Sequence, residues 1–131
     1  MAPDPKKPYD DLSFTLSIVY CQSREKLVDI KVEKIYRNQN GRLVEYTEEQ
    51  KNTLVVYDDN SLELKGHGNF RKRYQFPTNR VTIKRFVEAI VDFEKQNRPK
   101  SDWFGGIDCH HVFYEGLIAT EDGAYIIFWG S

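Results

Sequence analysis

Cysteine is scarce in this chain: Cys21 and Cys109 are the two in 131 residues. Each falls in a strand-like run. A pair of buried free thiols suits a cytoplasmic protein better than a disulfide framework, with a single bridge between them as the alternative. Long apolar runs are missing too. No stretch approaches the roughly 20 consecutive apolar residues that a membrane-spanning helix requires, so no membrane partner is expected. The first eight residues, MAPDPKKP, hold three prolines, two lysines and no apolar run. They read as a disordered lead over residues 1–10 rather than as a signal peptide, leaving residues 11–131 as one domain. Internal repeats and low-complexity segments are absent, and no catalytic, nucleotide-binding or metal signature is complete, so no cofactor is implied. Gly66-His67-Gly68 is no phosphate loop, because no lysine-serine pair follows it and no helix begins there; its glycines fit a tight turn or bulge.

What is present in quantity is apolar and aromatic side chain, 40% and 14% of residues, enough for one core without a metal or disulfide staple. In Thr82–Gln96, Ile83, Phe86, Val87, Ile90, Val91 and Phe93 recur every three or four residues, with Lys84, Arg85, Glu88, Asp92 and Lys95 mostly on the other side. That spacing predicts an amphipathic helix over about Ile83–Asn97, capped by the Thr82 hydroxyl and ended at Asn97-Arg98-Pro99.

Most of the remainder alternates with the period of a strand. Ser13–Cys21 carries Phe14, Leu16, Ile18 and Tyr20 on one face. In Lys26–Asn38 the phase breaks at Ile35 and Tyr36, and Val28, Val32, Ile35 and Tyr36 would also suit a helix; the β-branched content favours a strand with a bulge, which Asn40-Gly41 turns into a return strand over Arg42–Thr47. Glu48–Asn52 reads as a polar connector. Thr53–Tyr57 and Leu62–Lys65 then flank a turn at Asp58–Ser61, forming a second hairpin. Asn69–Phe76 is a further strand with Phe70, Tyr74 and Phe76 on one face. Ile107–Gly116 and Ala124–Trp129 form a terminal hairpin around Glu121-Asp122-Gly123, the last strand being apolar enough for the sheet centre. The resulting expectation is an α+β fold: a curved, mainly antiparallel sheet of about seven to eight strands, one long helix across it and a C-terminal β-hairpin. The expected core includes Phe14, Leu16, Ile18, Phe86, Ile90, Phe93, Ile126 and Phe128.

Charge is strongly segregated. Lys65, Arg71, Lys72, Arg73, Arg80, Lys84 and Arg85 occupy residues 65–85 with no acidic residue among them, whereas residues 101–131 hold five acidic residues and no lysine or arginine. On a chain with net charge −1 this separation sets up two opposed fields. It also admits a plainer reading, in which the basic residues are a solvated face partnered by the acidic ones.

The functional expectation is a non-enzymatic interaction module that binds another protein or itself. Its contact residues would be Arg71, Arg73, Arg80, Lys84 and Arg85, with Trp103 and Phe104 as loop anchors. The alternative is a nucleic-acid-binding domain in which Phe70 and Tyr74 interleave with the cations. A third reading places an enzyme or metal site at Asp108-Cys109-His110-His111. On a strand Cys109 and His111 would share a face, with His67 as a candidate third ligand, but two convergent ligands are too few for a metal.

Overall fold

The computed structural model describes residues 12–21, 26–100 and 110–130. Cys109, Trp103 and Phe104 lie outside these residues, as does the expected lead over residues 1–10. The pairing of Cys21 with Cys109 therefore lies outside the described structure too.

The expected class is the observed one. Among the described residues, nine strands make an open seven-stranded sheet and a two-stranded sheet, accompanied by one short and one long α-helix. The chain begins with β1 (Leu12–Cys21), β2 (Lys26–Gln39) and β3 (Arg42–Glu45), an antiparallel meander. β2 changes register against β1 twice, once between Phe14 and Leu16 and once between Val19 and Tyr20. The first change inserts an extra β2 residue between Val32 and Ile35, which is why the apolar phase breaks there yet both side chains face inward. Asn40 and Gly41 both have positive φ, the backbone that the Asn-Gly hairpin turn requires.

Glu48–Asn52 is helical rather than a connector: α1 spans Glu48–Thr53. Thr47 Oγ1 accepts from the Gln50 amide at 3.1 Å, while Gln50 Oε1 accepts from the Thr47 amide at 2.9 Å. This reciprocal pair is a capping box, and the Thr-x-x-Gln spacing that signals it is in the sequence. The hairpin expected around Asp58–Ser61 does not form either. β4 (Val55–Tyr57) pairs with β7 (Val81–Thr82) in the two-stranded sheet, whereas β5 (Ser61–Lys65) joins the large sheet beside β6 (Arg71–Gln75). Tyr57 Oη donates to the Ser61 carbonyl at 2.7 Å, bridging a turn whose flanking strands join different sheets.

α2 spans Ile83–Asn97, with the Thr82 hydroxyl accepting from the Arg85 amide. It continues into a 3₁₀ turn, Arg98–Lys100, that runs through Pro99. Ile83, Phe86, Val87, Ile90 and Phe93 are buried against the inner face of the large sheet, with Phe14, Leu16, Leu62, Leu64 and Tyr114. Phe14 stacks on Tyr114 at 4.7 Å between ring centres, and Phe70 on Phe93 at 5.2 Å. The first pair joins two strands of the sheet, and the second docks the β5–β6 loop on α2.

The terminal hairpin is β8 (Phe113–Ala119) and β9 (Tyr125–Gly130), turned at Gly123 with φ +87. β8 starts later than expected, since residues 110–112 are not strand, and it ends later, pairing with β9 as far as Ala119 beyond a register shift between Tyr114 and Gly116. Strand order is β3-β2-β1-β8-β9-β5-β6, so β9 lies inside the sheet. Its only parallel neighbour is β5. Two expected core residues are corrected here: Ile126 is 43% exposed and Phe128 50% exposed. The run is apolar on both faces, but α2 covers only the face carrying Tyr125 and Ile127. Among the described residues no helix is long and apolar enough to cross a membrane.

Candidate binding surface

Alternation along β6 divides the basic segment between two sides of the molecule. Arg71 and Arg73 stand opposite Lys65 and Glu63, which alternate with the buried Leu62 and Leu64, so both arginines point away from α2. Glu63 accepts from Arg71 and also from Arg73, at 3.1 Å from Nε and 2.9 Å from Nη2. Arg71 reaches Asp122 at 2.5 Å as well. The hydrogen bonds from Arg71 and then Arg73 hold the Glu63 carboxyl below its ordinary value. Asp122 is lowered to about 2, chiefly by the Thr120 hydroxyl and then by Arg71. These two arginines are therefore tied to acidic residues from β5 and the β8–β9 turn.

Arg80, Lys84 and Arg85 lie elsewhere. They are exposed around the start of α2, on the side turned away from the large sheet, and among the described residues none is in an ion pair. The structure thus brings Arg71 and Arg73 together and separates them from the other three. The aromatic residues interleaved with the basic ones are also occupied. Phe70 stacks on Phe93, and Tyr74 Oη donates to Asp92 Oδ2 at 2.6 Å. Lys72 reaches the same carboxylate at 2.9 Å. Burial and then the bond to Asp92 push the Tyr74 phenol above its ordinary value.

The outer face of the β8–β9 hairpin is apolar. Ile118 pairs with Ile126, and Gly116 with Phe128. Ile118 is 51% exposed, so three large apolar side chains stand together in solvent. Glu63, Arg71 and Asp122 form a charged border along the β5 side. Scattered exposed apolar residues are ordinary, but a contiguous group on one sheet face with a polar rim has the anatomy of a contact surface. Sequence reasoning missed Ile118 and misplaced Ile126 and Phe128. The signal was the apolar character of β9 on both faces, which requires two covers.

Next to this face, β5 and β9 part. Their ladder is one bridge, Leu64 opposite Tyr125; β5 then ends at Lys65 and the chain turns away, Gly66 donating to the Phe70 carbonyl at 2.9 Å. The gap is a cavity of about 390 Å3 lined by β9, Lys65–His67 and the last turn of α2. Its polar wall is a buried cluster. Glu94 is 1% exposed and Arg98 2%, with Arg98 Nε 3.5 Å from Glu94 Oε2. Asn97 Nδ2 donates to the same carboxylate oxygen at 3.0 Å, and Asn97 Oδ1 accepts from the His67 amide at 2.7 Å. Arg98 Nη2 donates to the His111 carbonyl at 2.6 Å, and its guanidinium lies over the Trp129 ring at 5.1 Å. Gly66 is required for this approach: a Cβ there would come within 2.0 Å of Asn97 Oδ1.

Of the three weak metal candidates, His67 and His111 are the two that the structure describes. His67 is an exposed turn residue whose amide is used by Asn97, and His111 lies before β8, outside any strand. Among the described residues no group of three His, Cys, Asp or Glu side chains is placed to hold an ion. Comparison with protein-family models, curated proteins and solved structures finds no match to this chain.

Proposed function

We propose that the protein is an interaction module that binds another protein through the outer face of its β8–β9 hairpin. The observation that carries this reading is the side-by-side exposure of Ile118, Ile126 and Phe128 on one sheet face. In the bound state these side chains form the dry centre of the contact. Arg71 and Asp122 belong to its rim, where charge selects a partner more than it adds affinity. The paired state of Arg71 and Arg73, the diversion of Arg80, Lys84 and Arg85 to another side, and the inward use of Phe70 and Tyr74 all favour protein over nucleic acid as the partner.

The test uses the full chain, as wild type and as Ile118→Ser/Phe128→Ser, in light scattering over a wide concentration range and in co-purification with quantified partners. A partner or second copy retained by the wild type and lost at least tenfold by the variant, with its thermal midpoint held, supports the reading. Equal retention by both would refute it. Salt-sensitive binding of the wild type to random oligonucleotides, unchanged in the variant, would replace it with the nucleic-acid reading.

A further inference from the structure

β9 presents an unusual edge inside the sheet. It pairs with β8 from Tyr125 to Gly130 but meets β5 only at Tyr125, so Ile126–Gly130 runs on past the end of β5 beside the cavity. Among the described residues no strand pairs with this stretch on its β5 side. Strand edges are usually blunted by charge, and the outermost strands here are: β3 is Arg-Leu-Val-Glu and β6 holds Arg71, Lys72 and Arg73. The Tyr125–Gly130 stretch carries no charge at all. It was exempt from that protection only by lying in the interior of the sheet order.

Two further observations point to a peptide in this gap. Trp129 lines the cavity and gives it a half-buried aromatic wall. The cavity's charge is also unbalanced. Glu94 is engaged by Arg98 and Asn97, while Lys65 on the rim adds a positive charge with no acid among the lining residues left to meet it.

We propose that β9 accepts, on its β5 side, an extended acidic peptide of a partner protein. The peptide adds a strand along Ile126–Gly130 and lays alternate apolar side chains on the inner face, against Trp129. On its other face it turns a carboxylate toward Lys65. Main-chain pairing supplies the affinity of such strand addition, and side-chain pockets supply its specificity. This rests on the reading of the protein as a protein-binding module, and it assigns a second contact that does not use Ile118.

The probe is a fluorescein-labelled hexapeptide of alternating valine and glutamate. Its controls are the valine-lysine counterpart and a version with prolines at the valine positions, which cannot donate to a ladder. Anisotropy measures affinity, and amide hydrogen exchange locates the contact. The glutamate peptide should bind at least tenfold more tightly than either control and slow exchange within residues 126–130, and Lys65→Glu should weaken it at least tenfold while Ile118→Ser leaves it unchanged. Equal affinity for the prolyl control, no binding up to millimolar peptide, or protection elsewhere in the chain would overturn the proposal. If the peptide fails while Ile118→Ser/Phe128→Ser still abolishes partner retention, strand addition alone is lost. If the peptide binds while partner retention ignores those substitutions, the outer-face reading is the one that falls.

Discussion

Removing the Arg98 side chain is the sharpest test of how the cavity wall is held. Arg98 is 2% exposed and Glu94 1%, so Arg98→Ala strands a carboxylate where water does not reach it. The same change removes the donor to the His111 carbonyl and the guanidinium over Trp129. Deleting one partner of a buried ion pair costs about 3–5 kcal/mol, most of it the penalty on the charge left behind. With an unfolding entropy of roughly 2.1 cal/mol/K per residue, a chain of this length loses about 3–4 °C of midpoint per kcal/mol, so a drop of roughly 11–18 °C is expected. Removing both charges tests the cause. Glu94→Leu/Arg98→Met keeps volume and leaves no stranded charge, and such replacements of buried pairs are often neutral or stabilising. The double variant should therefore be several degrees more stable than Arg98→Ala. Thermal unfolding followed by circular dichroism reads both. A midpoint for Arg98→Ala within about 3 °C of wild type, which is under roughly 1 kcal/mol, would mean that water already reaches Glu94 and that the wall is not a buried lock.

Gly66→Ala drives a methyl into Asn97 Oδ1 and should cost about 1–3 kcal/mol by overpacking, with Asn97→Ala in the same chain recovering part of the loss; denaturant midpoints decide it. Phe86→Ala and Ile90→Ala should each cost about 2–5 kcal/mol by opening a cavity under the helix, whereas Ile126→Ala and Phe128→Ala, half exposed, should each cost under about 1.5 kcal/mol. Equal costs for the two pairs would mean the outer face is covered. The Asp122 carboxyl is depressed to about 2 from an ordinary 3.8, so its contribution is complete above about pH 4 and disappears as pH falls toward 2. The stability advantage of wild type over Asp122→Asn should follow that course in a pH series of melting curves, and an advantage persisting below pH 2 would contradict the pairing with Thr120 and Arg71.

Local pattern carried much of the fold. The 3.6-residue spacing from Ile83 to Phe93, the Thr82 cap, the phase break between Val32 and Ile35 and the turns at Asn40-Gly41 and Glu121-Asp122-Gly123 all reappear where periodicity and turn chemistry placed them. They were legible because each depends on side chains within a few residues of one another. α1 was legible too, in Thr47-x-x-Gln50, but its polar composition drew attention from its cap. Tertiary structure alone decided which strands become neighbours, since the choice between β4 with β5 and β4 with β7 is made by what packs under α2 and not by the turn between them. It also decided the sides of the molecule. Seven basic residues adjacent in sequence are parted by strand alternation and by the helix's outer face, and an apolar strand exposes half its side chains because one helix covers one face of a sheet. The cavity wall is the extreme case. Glu94, Asn97 and Arg98 read as the polar end of a surface helix, and only the close approach of Gly66 and Trp129, distant in sequence, removes water from them and makes their mutual hydrogen bonds necessary.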